Sequence, residues 1–336
     1  MKECTKADKQ YRYNYVFIGA DDDYIRAMYG ELEKLSNVHF NSYGLDSKNP
    51  ILRAVFKLHW SAQINRIVLL PFKRIWFSKM CRNKFRNDKP VCYIFMGGQY
   101  VGTNPKLRDY IRQLNPKNRI VIHYEDLISK KKYTNFETVR NSADYIITYD
   151  SLEAKEYGIK LFNLPVYSTI QAVTKPEAFK YDVYFLGFAK DRLDLIHSIY
   201  QKLSNDGLKC YFHICGVAPE QQIAGEGLHY GSPITYAQNI SNVQKAKCIL
   251  EVMQGGSDAI TLRTQEALCY RRKLLTNHKA VAEQPYYSPE IISTFSDAEE
   301  IDTSFIQRPV SYSTYDNAFD FSPEQYLRFV ELLIGE

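Results

Sequence analysis

Long hydrophobic runs are missing from this chain. The longest near its basic stretch, Ile67 to Phe72, falls far short of the roughly 20 residues that cross a bilayer. The opening MKECTKADKQ has no apolar signal-peptide core, so a cytoplasmic protein is expected. Paired cysteines are missing too. The seven cysteines are an odd number without a C-x-x-C spacing, and most sit inside apolar runs. They read as reduced core residues, which argues against a zinc or disulfide framework. The dinucleotide fingerprint is also absent, because Gly97-Gly98-Gln99-Tyr100-Val101-Gly102 lacks the required glycine spacing. Charge is unevenly spread. Ile51 to Pro90 holds ten Lys/Arg against Asp88 alone, a net of +9, which leaves about −4 for the rest of a chain whose total is +5.

What is present is a chain of 336 residues, 45% hydrophobic and 24% charged, enough for two domains each with its own core. Its 27 tyrosines suit polar, ring-shaped ligands without singling one out. Short apolar runs alternate with helical patterns. Tyr13 to Ala20, Val91 to Met96, Asn118 to Tyr124, Asp144 to Thr148 and Lys160 to Leu164 read as strands. Tyr24 to Leu35, Pro105 to Leu114, Phe136 to Asn141 and a Ser151-capped Ser151 to Tyr157 read as helices. Alternation of this kind is the pattern of a parallel α/β sheet. It lapses over 166–180, the expected linker, and restarts at Tyr181 to Gly187. The organisation expected is therefore an N-terminal domain over 1–165, a second over 181–322, and a last helix, 323–336, able to pack back on the first. Ligands in such sheets bind at the carboxyl ends of the strands, here in a cleft between the two domains.

Lys247 to Asn277 carries the sharpest chemistry. An apolar strand ending in Glu251 leads through Gly255-Gly256 and Ser257-Asp258 into a helix expected over Ile260 to Tyr270, and a short strand follows over Arg271 to Thr276. Free N–H groups at a helix start favour an anion, Arg263 adds a fork of donors suited to phosphate, and Glu266 could hold sugar or ribose hydroxyls. A structural strand-turn-helix with a surface Arg263–Glu266 pair is the alternative. Gly187, Lys190 and Arg192 form a second strand-to-helix turn with two cations. In the first half, Asp21-Asp22-Asp23 reads as a helix cap in preference to a D-x-D metal motif. The basic segment interleaves Lys73, Arg74, Lys79 and Arg82 with Trp76 and other aromatics. It reads either as a helix lying on an anionic lipid surface or as a core helix with a solvated basic face. Nucleic-acid binding is disfavoured, since no recognition motif accompanies the charge.

Four stretches together resemble the GT-B glycosyltransferases of bacterial capsule and lipopolysaccharide gene clusters. They are Asp182 to Leu193, Cys248 to Glu251, Thr261 to Leu268 and Lys273 to Asn277, and Tyr286 to Ile292 fits as well. His123 to Ile128 is similar to a strand-end segment of the same branch but lacks its proline. The similarity spans roughly 118–306. It implies two Rossmann-like α/β/α domains facing each other across a cleft, and sugar transfer from a nucleoside diphosphate sugar to the hydroxyl of a lipid-linked glycan, without a required metal or other cofactor. It implies donor binding by Gly187, Lys190, Arg192, Glu251, Ser257, Thr261, Arg263 and Glu266, and an acceptor-side base among Asp126, His123 and Glu125, with Asp21 behind them. The basic segment would then rest on the inner face of the cell membrane. A nucleotide-sugar epimerase and a non-catalytic nucleotide-binding protein remain alternatives.

Overall fold

Runs of four to eight residues dominated by Val, Ile, Phe, Tyr and Cys become strands buried on both faces, as parallel sheets covered by helices require. The computed structural model describes residues 11–20, 22–43, 49–68, 70–97, 106–128, 136–168, 179–254, 259–316 and 320–335. The chain divides into two units, one formed by Met1–Leu164 with Pro323–Glu336, the other by Pro165–Ser322.

The first unit contains β1 (Asn14–Ile18), β2 (Val38–Asn41), β3 (Val91–Met96), β4 (Arg119–Tyr124), β5 (Tyr145–Thr148) and β6 (Lys160–Leu161). They form one sheet in the order β2-β1-β3-β4-β5-β6. Every pairing is parallel, with Phe17 opposite Ile94 and Ile94 opposite Val121. Gly19, just past β1, has φ +89°, and a Cβ there would lie 1.8 Å from the Tyr43 ring. Only glycine fits that turn. The closing helix, Glu324–Leu333, belongs to this unit. Its Glu331 accepts from Arg12 Nε at 2.9 Å and from the Tyr15 hydroxyl. Its Tyr326 is buried against Phe17, Tyr29, His123 and Phe162.

The second unit contains β7 (Tyr181–Phe188), β8 (Cys210–Cys215), β9 (Leu228–Gly231), β10 (Ala246–Glu251), β11 (Lys273–Thr276) and β12 (Ile292–Thr294). Their order is β12-β11-β10-β7-β8-β9, again wholly parallel. Counted from its own first strand this is 3-2-1-4-5-6, the doubly wound dinucleotide-binding order. Cys81, Cys92, Cys210, Cys215, Cys248 and Cys269 are buried free thiols.

Several local expectations need correction. The segment from Ile51 to Phe85 is three helices, Pro50–Trp60, Ala62–Ile67 and Arg74–Met80. Asn49 and Ser61 cap the first two by accepting from backbone N–H groups. The 151–157 helix is capped by Asp150, whose carboxylate accepts from Glu153 N at 2.9 Å, and not by Ser151. Asp22 occupies the cap position of the helix Asp23–Tyr29 without a side-chain cap bond. β2 was not anticipated, because its four residues alternate polar and apolar and sit at the sheet edge. Asp21, residues 98–102, most of the expected linker, and Gly255 to Asp258, among them the expected donor-site Ser257, lie outside the described residues.

Candidate active site

In the second sheet, β7 and β10 are paired neighbours, and the chain leaves them in opposite directions, toward β8 and toward β11. That reversal is a topological switch point, the place where such sheets open a crevice for ligands at their carboxyl ends. Gly187, Lys190 and Arg192 lie at or just past the end of β7. Glu251 ends β10, and Thr261, Arg263 and Glu266 follow it. The two turns are tied together. Lys190 Nζ donates to Gln254 Oε1 at 2.8 Å, and the Arg192 guanidinium donates to the Val252 carbonyl and, at 2.9 Å, to that of Phe188. Gly187 leaves room for this arrangement, since a Cβ there would lie 3.0 Å from Phe185 and 3.6 Å from Arg192 Nη2. Lys190 holds a left-handed φ of +47°, a conformation uncommon outside glycine. Burial lowers the Arg192 pKa yet leaves an arginine charged at any working pH.

The helix that follows β10 runs from Leu262 to Cys269. Its cap is Thr261, whose Oγ1 accepts from Arg263 N at 3.0 Å and donates to Glu251. Glu251 also accepts from Thr264 Oγ1 at 2.8 Å and from Thr276 Oγ1 at 2.6 Å. This buried carboxylate therefore fixes the start of the helix between the ends of β10 and β11, and its bonds run to protein hydroxyls.

Arg263 is not part of a surface pair. Its guanidinium donates to Glu266 and, at 2.9 Å, to Asn239 Oδ1, and that oxygen also accepts from the Tyr184 hydroxyl at 3.0 Å. Glu266 is fully buried, and its other oxygen accepts from Asn239 Nδ2 at 2.8 Å. Burial raises the Glu266 pKa, and the Arg263 charge opposes that rise. With both oxygens engaged inside the protein, Glu266 orients Arg263. Asn239, Tyr184 and Gln254 escaped the sequence reading. For Asn239 a signal existed, since it shares the inward face of the helix Tyr236–Lys245 with Val243 four residues on.

In the first unit, the β4 end separates the three acceptor-side candidates. His123 is buried, stacked on Tyr326 at 5.0 Å with an interplanar angle of 25°, and its pKa is pushed down to about 3 by burial. It is a neutral core residue and does not present a base to solvent, which corrects that expectation. Glu125 is half-buried and accepts from the Tyr24 hydroxyl at 3.1 Å. Asp126 is exposed. Among the described residues no three His, Cys, Asp or Glu side chains converge as a metal-ligand set.

The basic segment also divides. Arg74, Lys79 and Arg82 are exposed. Lys73 and Trp76 are not membrane-facing: both are buried, Trp76 Nε1 donating to His59 Nδ1 at 2.6 Å and Lys73 donating to Asn65. Burial brings the Lys73 pKa down to about 8. Their aromatic and aliphatic mass fills the core beneath the helices, so these two side chains turn inward. Among the described residues no helix is long and apolar enough to cross a membrane.

Two Rossmann-like α/β units, each with a six-stranded parallel sheet, make the GT-B architecture the fold class of this chain. Among solved structures, an α-glucosyltransferase in complex with UDP and a 13-mer DNA containing a central A:G mismatch is similar at 10% identity and TM-score 0.51, over 94% of this chain and 92% of that one. The apo lipopolysaccharide outer core galactosyltransferase WaaB is similar at 11% identity and TM-score 0.47, over 94% and 98%. A UDP-N-acetylglucosamine 2-epimerase from Listeria monocytogenes, described as putative, is similar at 9% identity and TM-score 0.48, over 95% and 96%. At these identities the likeness is one of fold. No family model and no curated protein sequence matches the chain.

Proposed function

We propose that the chain is a glycosyltransferase that moves a sugar from a nucleoside diphosphate sugar to a hydroxyl of a lipid-linked glycan in surface polysaccharide assembly, from the cytoplasmic side of the membrane. The observation that carries this reading is that Lys190 and Arg192 follow β7 and are tied to the segment after β10 through Gln254 and Val252, while Arg263 stands at the start of the helix after β10, at the switch-point pair of a dinucleotide-type sheet. The departing nucleoside diphosphate gains negative charge as the glycosidic bond breaks. Fixed cations and the N–H groups at the start of the helix Leu262–Cys269 would meet that charge without reorganising. The reaction proposed is therefore metal-independent. On the acceptor side, exposed Asp126 takes the role of base, with Glu125 beside it.

The test is thermal-shift binding of UDP, GDP, CMP and dTDP sugars, followed by release of the nucleotide with and without acceptor extract. One nucleotide should raise the melting temperature. Lys190→Ala should then raise the donor KM by roughly tenfold, the loss of one charge-assisted contact. Asp126→Asn should leave binding intact and slow transfer by roughly 100-fold or more. Failure of every nucleotide to bind would overturn the reading. Binding with an Asp126-insensitive product would point to the epimerase or non-catalytic alternative.

A further inference from the structure

Between Pro50 and Asp88 the chain has no acidic residue. The same stretch carries most of the large apolar side chains exposed among the described residues, including Ile51, Leu58, Ile67, Val68, Phe72 and Ile75, which are 49% to 88% exposed. A helix on a protein surface ordinarily turns a polar face to water. The helix Pro50–Trp60 also turns apolar residues to water. Trp60 is buried in the core, while Ile51, Val55 and Leu58, spaced four and three residues apart, form an outward stripe flanked by exposed Arg53 and Lys57. Phe72 extends the apolar surface from a left-handed φ of +63°, held 77% exposed, a conformation unusual for a bulky residue.

Beside Phe72 lies a cavity of about 350 Å³ lined by Lys73, Arg74, Lys106 and Tyr110, with Asp109 as its only acid. Arg74 stacks over the Tyr110 ring at 5.3 Å. We propose that this face docks on an anionic bilayer, with Ile51, Leu58, Ile67, Phe72 and Ile75 entering the headgroup boundary and the cavity receiving a lipid phosphate between Arg74 and Lys106. The charge selects this occupant. A second copy of the chain would bring the same net positive charge to a two-fold contact. A nucleic acid would answer the cations and leave the apolar stripe in water. The inference deepens the membrane-side placement proposed above.

Vesicle sedimentation without any nucleotide sugar tests it separately from sugar transfer. The full chain should sediment with phosphatidylcholine vesicles containing phosphatidylglycerol and far less with phosphatidylcholine alone. The variant Ile67→Ser/Phe72→Ser/Ile75→Ser, whose changes are all at exposed positions, should keep its melting temperature and lose binding. Arg74→Gln/Lys79→Gln/Arg82→Gln should weaken anionic binding by roughly 100-fold, and Lys106→Gln should reduce the preference for phosphatidylglycerol. Three results would overturn the proposal: no sedimentation with anionic vesicles, unchanged binding by the apolar variant, or a dimer or duplex-DNA complex in place of vesicle binding.

Discussion

His123 illustrates how burial decides chemistry at the level of a single side chain. In solution an imidazole at its ordinary pKa of 6.5 would serve as a base, but beneath Tyr326 it takes a proton only at about pH 3. The unfolded chain still protonates near 6.5, so the native state loses stability as pH falls from about 6.5 toward 3 and keeps it in full above 6.5. Each pH unit in that window is worth about 1.4 kcal/mol. We expect urea unfolding of wild type and His123→Phe to diverge by about 2 kcal/mol more at pH 5 than at pH 7. Parallel pH profiles would show that the imidazole is not buried as described. Nothing near His123 in sequence announces this, because the ring that covers it arrives about 200 residues later. Asp126 and Lys190 lie exposed on turns next to strand ends, positions that the end of an apolar run marks in sequence.

At the scale of elements, Glu251 joins three pieces of structure through three threonine hydroxyls, one from the cap of the helix Leu262–Cys269, one from its first turn and one from β11. Removing the carboxylate would leave the buried Thr264 and Thr276 hydroxyls without their acceptor, at about 1–3 kcal/mol each, and the half-buried Thr261 hydroxyl at less. Glu251→Ala should lower stability by at least about 2 kcal/mol, and nucleotide binding should fall with it, because the helix start would shift. A calorimetric melting temperature within a few degrees of wild type would contradict this. Gly19→Ala belongs to the same scale. Its Cβ would collide with Tyr43 in a left-handed turn, and a cost of about 1–3 kcal/mol is expected from urea titration. The buried inner strands of both sheets are legible because fully buried parallel strands read as continuous apolar runs, whereas the edge strand β2, with its alternating burial, is not. The region from Pro50 to Met80 was not legible in the same way. Its apolar residues are divided between an inward and an outward face, so a single helical period cannot describe it, and Lys73 and Trp76 were assigned to the wrong side.

Across the whole chain, the unit of Pro165–Ser322 is contiguous, whereas the other needs both Met1–Leu164 and the closing helix Glu324–Leu333. That helix supplies Tyr326 to the core and Glu331 to Arg12 and Tyr15. Truncation after Ser322 should therefore unfold the first unit and spare the second. Scanning calorimetry should lose one transition and keep the other, and a variant retaining both would refute the dependence. The sheet-and-helix alternation that marks the two units is visible in sequence, but the return of the last helix is a tertiary contact that no local pattern encodes.

This interleaved connectivity also reverses the usual order of maturation on the ribosome, where the N-terminal domain of a growing chain ordinarily folds first. Here Met1–Leu164, translated ahead of the inserted unit, cannot complete its core until the helix Glu324–Leu333 has emerged, after the inserted unit has been fully synthesised. Nascent chains ending at Ser322 and stalled behind an unstructured spacer long enough to clear the ribosomal tunnel should carry a protease-resistant inserted unit beside a still cleavable N-terminal half.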